Sequence, residues 1–178
     1  MEKSAGFGSP RTERDYVGEV TIPTEKLYGV NSVRGMDNLS VSSQTVGHYA
    51  EFVKAFAYVK WAAALANRDC GVLESRACDA IVQACQDMIS GHFSDSLIVD
   101  LMEGSGGTST NMNFNEVIAN RAQQVLGHPA GSYDVVHPND HVNRSQSTND
   151  AYPSAQKIAT YAMLEPLIAV VGELAETF

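Results

Sequence analysis

The sequence predicts a mainly α-helical fold in which a helical N-terminal region leads into one long apolar helix. Three segments between residues 51 and 127 carry apolar residues at three- and four-residue steps, and each ends at a glycine. A fourth segment begins near Asp150 and continues such a pattern to the last residue without a stop signal. Residues 16–22 alternate loosely, which predicts a short strand or an extended arm.

The predicted elements divide the chain into three parts. Residues 1–14 are polar and are expected to form a flexible tail, residues 15–146 a helical domain, and residues 147–178 the start of a second, bundle-like domain. Within the helical domain, glycine, asparagine and serine are frequent over residues 28–48, which predicts irregular structure there. The three short helices are expected at 51–67, 73–89 and 111–127.

The last segment carries an apolar stripe too long for three short helices to cover. Pro153 is tolerated in a first helical turn, whereas Pro166 is expected to bend the helix. We therefore expect this helix to join a bundle whose other members lie elsewhere. The stripe comprises Ala155, Ile158, Ala159, Ala162, Met163, Leu167, Val170, Val171 and Leu174.

Composition and charge exclude several function classes. The chain has 178 residues, of which 44% are hydrophobic and 19% charged, as in an ordinary globular domain. The formal net charge of −9 argues against nucleic-acid binding and gives no long-range attraction for an anion. An anion site would therefore depend on local dipoles and hydrogen-bond donors. Because no run of 18 apolar residues occurs and the start lacks a signal-peptide core, no membrane segment or export is expected.

Two polar clusters stand directly before predicted helices. Within residues 104–113, three consecutive hydroxyl side chains at 108–110 follow the glycines, and within residues 145–150, positions 147–149 offer two hydroxyls and a carboxamide. The first N–H groups of a helix have no partner within it, and the helix dipole adds partial positive charge, so such clusters can hold an anion. The alternative is simple helix capping, by Ser109 or Thr110 in one cluster and by Asn149 or Asp150 in the other. Two such clusters would suit a ligand with two carboxylates.

The sequence predicts no metal site. His137 and His141 are four residues apart, but Pro138 disfavours a helix that would bring them together, so a polar turn or a further anion contact is the better interpretation. The three cysteines are an odd number without an export signal, and they are expected to be core thiols rather than disulfides or ligands.

Three motifs, taken together, resemble the aspartase/class II fumarase superfamily. Residues 107–113 (GTSTNMN) with 115–120 (NEVIAN) resemble one signature, and residues 137–140 (HPND) with 146–150 (QSTND) and Pro153 resemble the second. The opening segment is similar at Leu27, Tyr28, Gly29, Val30, Arg34 and Asn38. The resemblance runs from about Asp15 onward, with the motifs in family order.

This resemblance implies a mainly α fold, with an N-terminal helical lyase domain leading into the first long helix of a central bundle, and a cytoplasmic homotetramer without a cofactor. It implies reversible β-elimination that yields fumarate. Thr108 and Ser109 would belong to one carboxylate pocket, Ser147 and Thr148 would contact substrate carboxylate oxygens, and Asn149 the leaving group. A set of three residues resembles the secondary anion site of fumarases: His137, Asn139 and Asp140.

The choice of substrate depends on finer details of the same motifs. Thr148, the pair Asp140-His141 and residues 107–109 favour L-aspartate as substrate, whereas His137-Pro138 and Ser145 favour malate. The family's serine-bearing loop does not occur in these residues, so no catalytic base is named here and it is expected in a C-terminal part. Two other classes stay open: a dicarboxylate-binding module without turnover, and a structural helical protein whose clusters are only caps.

Overall fold

The computed structural model describes residues 9–102 and 104–178, and it confirms the mainly α prediction. The helices are α1 (Val30–Leu39), α2 (Ala50–Asp69), α3 (Ser75–Ile89), α4 (Thr108–Val125) and α5 (Thr148–Thr177). An antiparallel hairpin precedes them, formed by β1 (Arg11–Arg14) and β2 (Glu19–Ile22). Short helical turns lie at Val46–His48, Ser94–Ser96 and Pro138–Val142.

The core lies where α2, α3 and α4 pack together. Phe56 of α2 stacks on Phe114 of α4 with ring centroids 4.2 Å apart, and Phe52 meets both rings edge-on. Two of the three cysteines, Cys78 and Cys85, are buried in this core as free thiols, whereas Cys70 is exposed. The core-thiol prediction is therefore confirmed for two residues and wrong for Cys70.

Helix α4 is buried along most of its length, and its polar side chains hold the loops around it. Asn113 accepts from the Ile98 and Val99 N–H groups and donates to the Ser96 carbonyl. Asn120 and Gln123 make similar contacts about two and three turns later. Asn120 donates to Leu27 O and accepts from Gly131 N, and Gln123 accepts from Val136 N. Because buried polar groups need partners, these contacts fix where each loop crosses α4.

Helix α1 corrects the prediction of irregular structure over residues 28–48. The Glu116 carboxylate of α4 accepts from the backbone N–H groups of Gly29, Asn31 and Ser32 at 2.8–3.0 Å, and from the Asn31 and Ser32 side chains. Glu13 of β1 accepts from the Val30 N–H at 3.0 Å. Two carboxylates therefore satisfy the start of a helix whose own residues are poor helix formers.

The N-terminal residues also differ from expectation. Arg11–Arg14, predicted to belong to a flexible tail, form β1, which pairs with β2. The Arg11 guanidinium donates to three backbone carbonyls and to Glu13, which anchors the strand to the domain. Residues 1–8 of that tail lie outside the described residues. The predicted strand over 16–22 is confirmed in part by β2.

Helix α5 packs on the domain only near its start. Ala151, Ala155 and Ala159 are buried, and small residues at this spacing allow close approach to α2. Beyond them the large apolar side chains are exposed, and they are Ile158, Tyr161, Met163, Leu164, Leu167, Ile168, Val170, Val171 and Leu174.

Helix α5 is also long and apolar enough to cross a membrane, by length and composition alone. This differs from the expectation that the chain has no membrane segment, which rested on the absence of 18 consecutive apolar residues. A core helix of a bundle has the same properties. Lys157 and Glu165 interrupt the apolar sequence, and the helix continues through Pro153 and Pro166.

We predict that Glu116→Ala releases α1 while the core remains folded. The substitution leaves several buried N–H groups without an acceptor, at about 1–3 kcal/mol each. Hydrogen exchange of a peptide covering residues 27–39 should accelerate strongly, and the melting temperature should fall. Gln124→Ala, an exposed site on the same helix, should change neither. Unchanged exchange over α1 in Glu116→Ala would show that other contacts hold this helix.

We also predict that the 178-residue chain self-associates through α5. Each large apolar side chain gains about 1.5–3 kcal/mol when it is buried, and nine of them are exposed on this helix. Light scattering at micromolar concentration should give a mass above that of one chain. A variant with Leu167, Ile168 and Val171 changed to Lys should shift toward the monomer. A compact wild-type monomer would contradict the prediction.

Candidate functional site

The first polar cluster forms the start of α4, three residues earlier than predicted. Gly107 is the N-cap residue at φ 94°, so Thr108, Ser109 and Thr110 lie in the first turn of the helix. The cap is supplied by Ser105, whose Oγ accepts from the Ser109 N–H at 2.9 Å. The capping roles considered for Ser109 and Thr110 are therefore wrong, and these hydroxyls are not used to begin the helix.

The second polar cluster forms the start of α5. Ser147 is its N-cap residue, and its Oγ accepts from the Asn149 N–H at 3.2 Å. The helix begins at Thr148, so the alternative that Asn149 or Asp150 caps it is wrong. A serine hydroxyl that accepts in this way keeps its own proton free to donate.

The two helix starts meet within one chain. The Asn111 Nδ2 of α4 donates to Thr148 Oγ1 of α5 at 3.2 Å and to Asn143 Oδ1 at 3.1 Å. On the other side, the Tyr152 ring of α5 lies directly over Gly107, where an added Cβ would come within 2.4 Å of the ring. A residue with a side chain at position 107 would therefore force the two starts apart.

A buried lysine lies beneath this junction. Lys60 of α2 is fully buried, and its Nζ donates to Asn143 Oδ1 at 2.9 Å and to Gln146 Oε1 at 3.1 Å. The ammonium also lies 5.7 Å from the centroid of the Phe56 ring. Burial lowers the pKa of Lys60 to about 7.

The predicted site residues differ in how open they are. Thr108, Ser147 and Asn149 are exposed, and Thr148 is half-buried. Ser109 lies against Gly35 of α1, where an added Cβ would stand 3.0 Å from Ser109 Cβ. The structure thus places Thr148 at the junction and turns Ser109 toward α1.

Three buried polar atoms of α4 have no partner among the described residues: Thr110 Oγ1, Asn111 Oδ1 and Asn115 Oδ1. One of them, Asn111 Oδ1, belongs to a residue that joins the two helix starts. Because an unpaired buried polar atom is costly, these atoms mark positions where a further group is to be expected.

The predicted secondary anion residues form a compact turn. The His137 Nδ1 accepts from the N–H groups of Asn139 and Asp140, and His141 Nδ1 accepts from the His137 N–H at 2.8 Å. The Asp140 carboxylate lies 3.4 Å from His137 Nδ1. His137 is extended, as expected before proline. The prediction that Pro138 disfavours a helix bringing His137 and His141 together is wrong, because a helical turn begins at Pro138. Burial lowers the pKa of His141.

These residues border two separate cavities. His137 and Asn139 line one of about 420 Å³, together with Arg14 and Tyr133. Asp140 lines another of about 500 Å³. This second cavity is also lined by Glu74, Arg76, Asp134, His141 and Arg144. The structure therefore does not bring all three predicted residues into a single space. No group of side chains suited to a metal ion occurs in residues 9–102 and 104–178.

Sequence reasoning missed Lys60, Asn111 and Asn143. A lysine within an apolar helical stripe, at a position between Phe56 and Ala64 on the buried face, is the one local signal that could have indicated Lys60. Asn143 gave none, because its importance comes from contacts with distant segments.

A family model described as Lyase matches residues 18–178. The chain belongs to this lyase family. Among curated relatives, the aspartate ammonia-lyase of Helicobacter pylori strain J99 is 48% identical over 168 residues, which is 94% of this chain and 36% of the relative. The aspartate ammonia-lyase of Escherichia coli strain K12 is 40% identical over 169 residues, covering 94% of this chain and 35% of the relative.

Solved structures agree with this membership. The fumarate lyase:delta crystallin of Brucella melitensis is 46% identical with a TM-score of 0.83, over 85% of this chain and 34% of that chain. The class II fumarase of Schistosoma mansoni is 35% identical with a TM-score of 0.77, over 84% of this chain and 31% of that chain. The chain spans about a third of the length of the lyase-family members that it matches.

We predict that Gly107→Ala damages the junction more than Gly106→Ala. Both glycines have a left-handed backbone, at φ 94° and 68°, so both variants bear about 1–2 kcal/mol of strain. Only at position 107 does the new Cβ meet the Tyr152 ring, because nothing lies within 4 Å of position 106. Thermal melting should therefore show a clearly larger loss for Gly107→Ala. Equal losses would mean that Tyr152 moves aside freely.

Proposed function

We propose that the protein carrying this chain is a lyase that eliminates ammonia reversibly from L-aspartate to give fumarate. The observation that carries the proposal is the contact between the starts of α4 and α5 through Asn111 and Thr148. It brings two hydroxyl-rich helix N-termini to one place, as a small dicarboxylate would require. The relatives named aspartate ammonia-lyase support this choice of reaction.

The proposed reaction depends on hydrogen-bond donors that stabilise negative charge on the substrate. A base removes a proton from the carbon next to a carboxylate, the electron pair forms the double bond, and the carbon–nitrogen bond breaks to release ammonia. As the proton leaves, negative charge grows on the oxygens of the adjacent carboxylate. Fixed donors aimed at those oxygens stabilise the transition state more than the ground state. Side-chain hydroxyls and helix N–H groups can do this.

We assign roles to the site residues on this basis. Thr108 and Ser109 would bind one carboxylate, Ser147 and Thr148 the other, and Asn149 the amino group. Because Asn111 donates to Thr148 Oγ1, the Thr148 proton is directed elsewhere and can reach a carboxylate oxygen. Ser109 fits less well, since it lies against Gly35.

The base that takes the proton is proposed to lie outside these residues. His137 and His141 each use Nδ1 to accept backbone N–H groups, and they lie in the separate turn. Lys60 is fully buried and donates to two side chains. Ser147 and Thr148 have no activating base among their described partners.

The remaining expectations follow from the same resemblance. His137, Asn139 and Asp140 are proposed to form a secondary anion site. Because His137 and Asn139 line one cavity and Asp140 lines another, an anion in the first cavity would contact only His137 and Asn139. The exposed apolar face of α5 supports a central bundle and a homotetramer. We propose a cytoplasmic enzyme that needs no metal or organic cofactor.

A second candidate reaction is the hydration of fumarate to malate. The similarity to the Schistosoma mansoni class II fumarase favours it, as does the His137-Pro138 pair. A dicarboxylate-binding module without turnover would share the same helix starts.

The test is an assay of the complete gene product that carries this chain. We expect fumarate to form faster from L-aspartate than from L-malate at equal concentration, measured by absorbance. Faster release from malate would transfer the proposal to the hydratase. Binding of succinate without turnover of either substrate would favour the binding module.

Thr108→Val tests the first pocket within that assay. Valine keeps the shape of threonine but removes the donor, so kcat/KM should fall about 100-fold or more, as when one transition-state donor is lost. Thr21→Val, at an exposed site on β2, is the matched control and should leave kcat/KM unchanged. An unchanged value for Thr108→Val would remove this residue from the site.

A further inference from the structure

Lys60 is a buried charge that the proposed reaction does not use. Its side chain is fully buried between α2 and the segment before α5, although lysine is rarely buried without an ion-pair partner. Among the described residues no carboxylate forms an ion pair with it. Its hydrogen-bond acceptors, Asn143 Oδ1 and Gln146 Oε1, are both neutral amide oxygens. The positive charge is therefore compensated only in part within this region.

The acceptors of Lys60 lead directly to the helix starts. Asn143 Oδ1 also accepts from Asn111 Nδ2, and the same Nδ2 donates to Thr148 Oγ1. Gln146 stands one residue before the Ser147 cap, and its Nε2 donates back to the Val142 carbonyl. The ammonium is thus separated from Thr148 by two asparagine side chains, and it holds the loop from which α5 begins.

We infer that Lys60 is a positioning residue for the dicarboxylate site, and that its ammonium supplies the buried positive charge behind the start of α5. Through Asn143 and Asn111 it orients Thr148, and through Gln146 it holds the loop that carries Ser147. The inference rests on the proposed function of this junction as a site for a dianionic carboxylic acid.

The surroundings of Lys60 make its charge responsive to a bound anion. The two amide oxygens favour the ammonium form, whereas burial opposes it and brings the pKa to about 7. The described titratable group that interacts with Lys60 is Cys85 of α3, whose own pKa burial raises to about 12, so this thiol stays neutral near pH 7. A nearby dianion would favour the ammonium. Binding should therefore take up a proton, and affinity should fall as pH rises above about 7.

The experiment measures succinate binding to the complete gene product by titration calorimetry, in two buffers of different ionisation enthalpy, between pH 6.5 and 8.5. Succinate has two carboxylates but no leaving group, so turnover does not interfere. We expect wild-type affinity to fall on the order of tenfold over this range, since each pKa unit corresponds to a factor of ten. Net proton uptake should be measurable at pH 7.5.

Lys60→Met removes the charge and the donor while keeping a chain of similar length. It should bind succinate about tenfold more weakly at pH 6.5, lose the pH dependence and lose the proton uptake. Lys54→Met is the matched control, because Lys54 is a partly exposed lysine on the same helix, paired with Glu51. It should behave as the wild type. Lys60→Arg should retain affinity but show no proton uptake, because arginine does not titrate in this range.

The outcomes separate the inference from the proposed function. Lys60→Met with wild-type proton uptake and pH dependence would overturn the role of Lys60, including when its melting temperature falls. If Lys60→Met does not fold, the comparison of the wild type with Lys60→Arg tests the role of Lys60. Equal proton uptake by these two proteins would overturn that role. Failure of the wild type to bind succinate at any pH would instead remove the dicarboxylate site, and the inference with it.

Discussion

The structure depends on one constraint: α4 is buried on nearly all sides, yet many of its residues are polar. Most of these side chains find partners in other segments, because an unpaired buried polar group is costly. Asn113, Glu116, Asn120 and Gln123 follow one another along the helix and bind three segments, residues 96–99, 27–32 and 131–136. The domain is therefore organised around a helix that acts as both core and scaffold, and the start of the same helix carries the first polar cluster.

The candidate site arises where two such supported helices begin. Gly107 lets the Tyr152 ring close over the start of α4, and Asn111 reaches across to Thr148. Because Ser105 and Ser147 accept the capping N–H groups, the Thr108 and Thr148 hydroxyls are not needed as caps and can donate to a ligand. A helix start that is held by its neighbours can present donors without reorganising, which is the arrangement that stabilises developing charge.

The buried charge of Lys60 and the exposed apolar face of α5 both adjoin the candidate site. The chain has a net charge of −9, so a site for a dianion needs positive potential from within, and Lys60 lies buried behind the junction. Helix α5 begins at that junction with its first turns packed on α2 and continues into a segment whose apolar side chains are exposed. An assembly through this segment would therefore be connected directly to the site.

The sequence by itself determined the three core helices and the long α5, because apolar periodicity and terminal glycines are local signals. It also located both polar clusters, since hydroxyl-rich helix starts can be read from composition, and the motifs identified the family. Helix α1 could not be predicted, because its start is held by Glu116, which lies 87 residues beyond Gly29. For the same reason only the tertiary structure decided that Ser109 turns to α1 and that Lys60 lies beneath the site. Burial and hydrogen bonding between distant segments leave no local pattern in the chain.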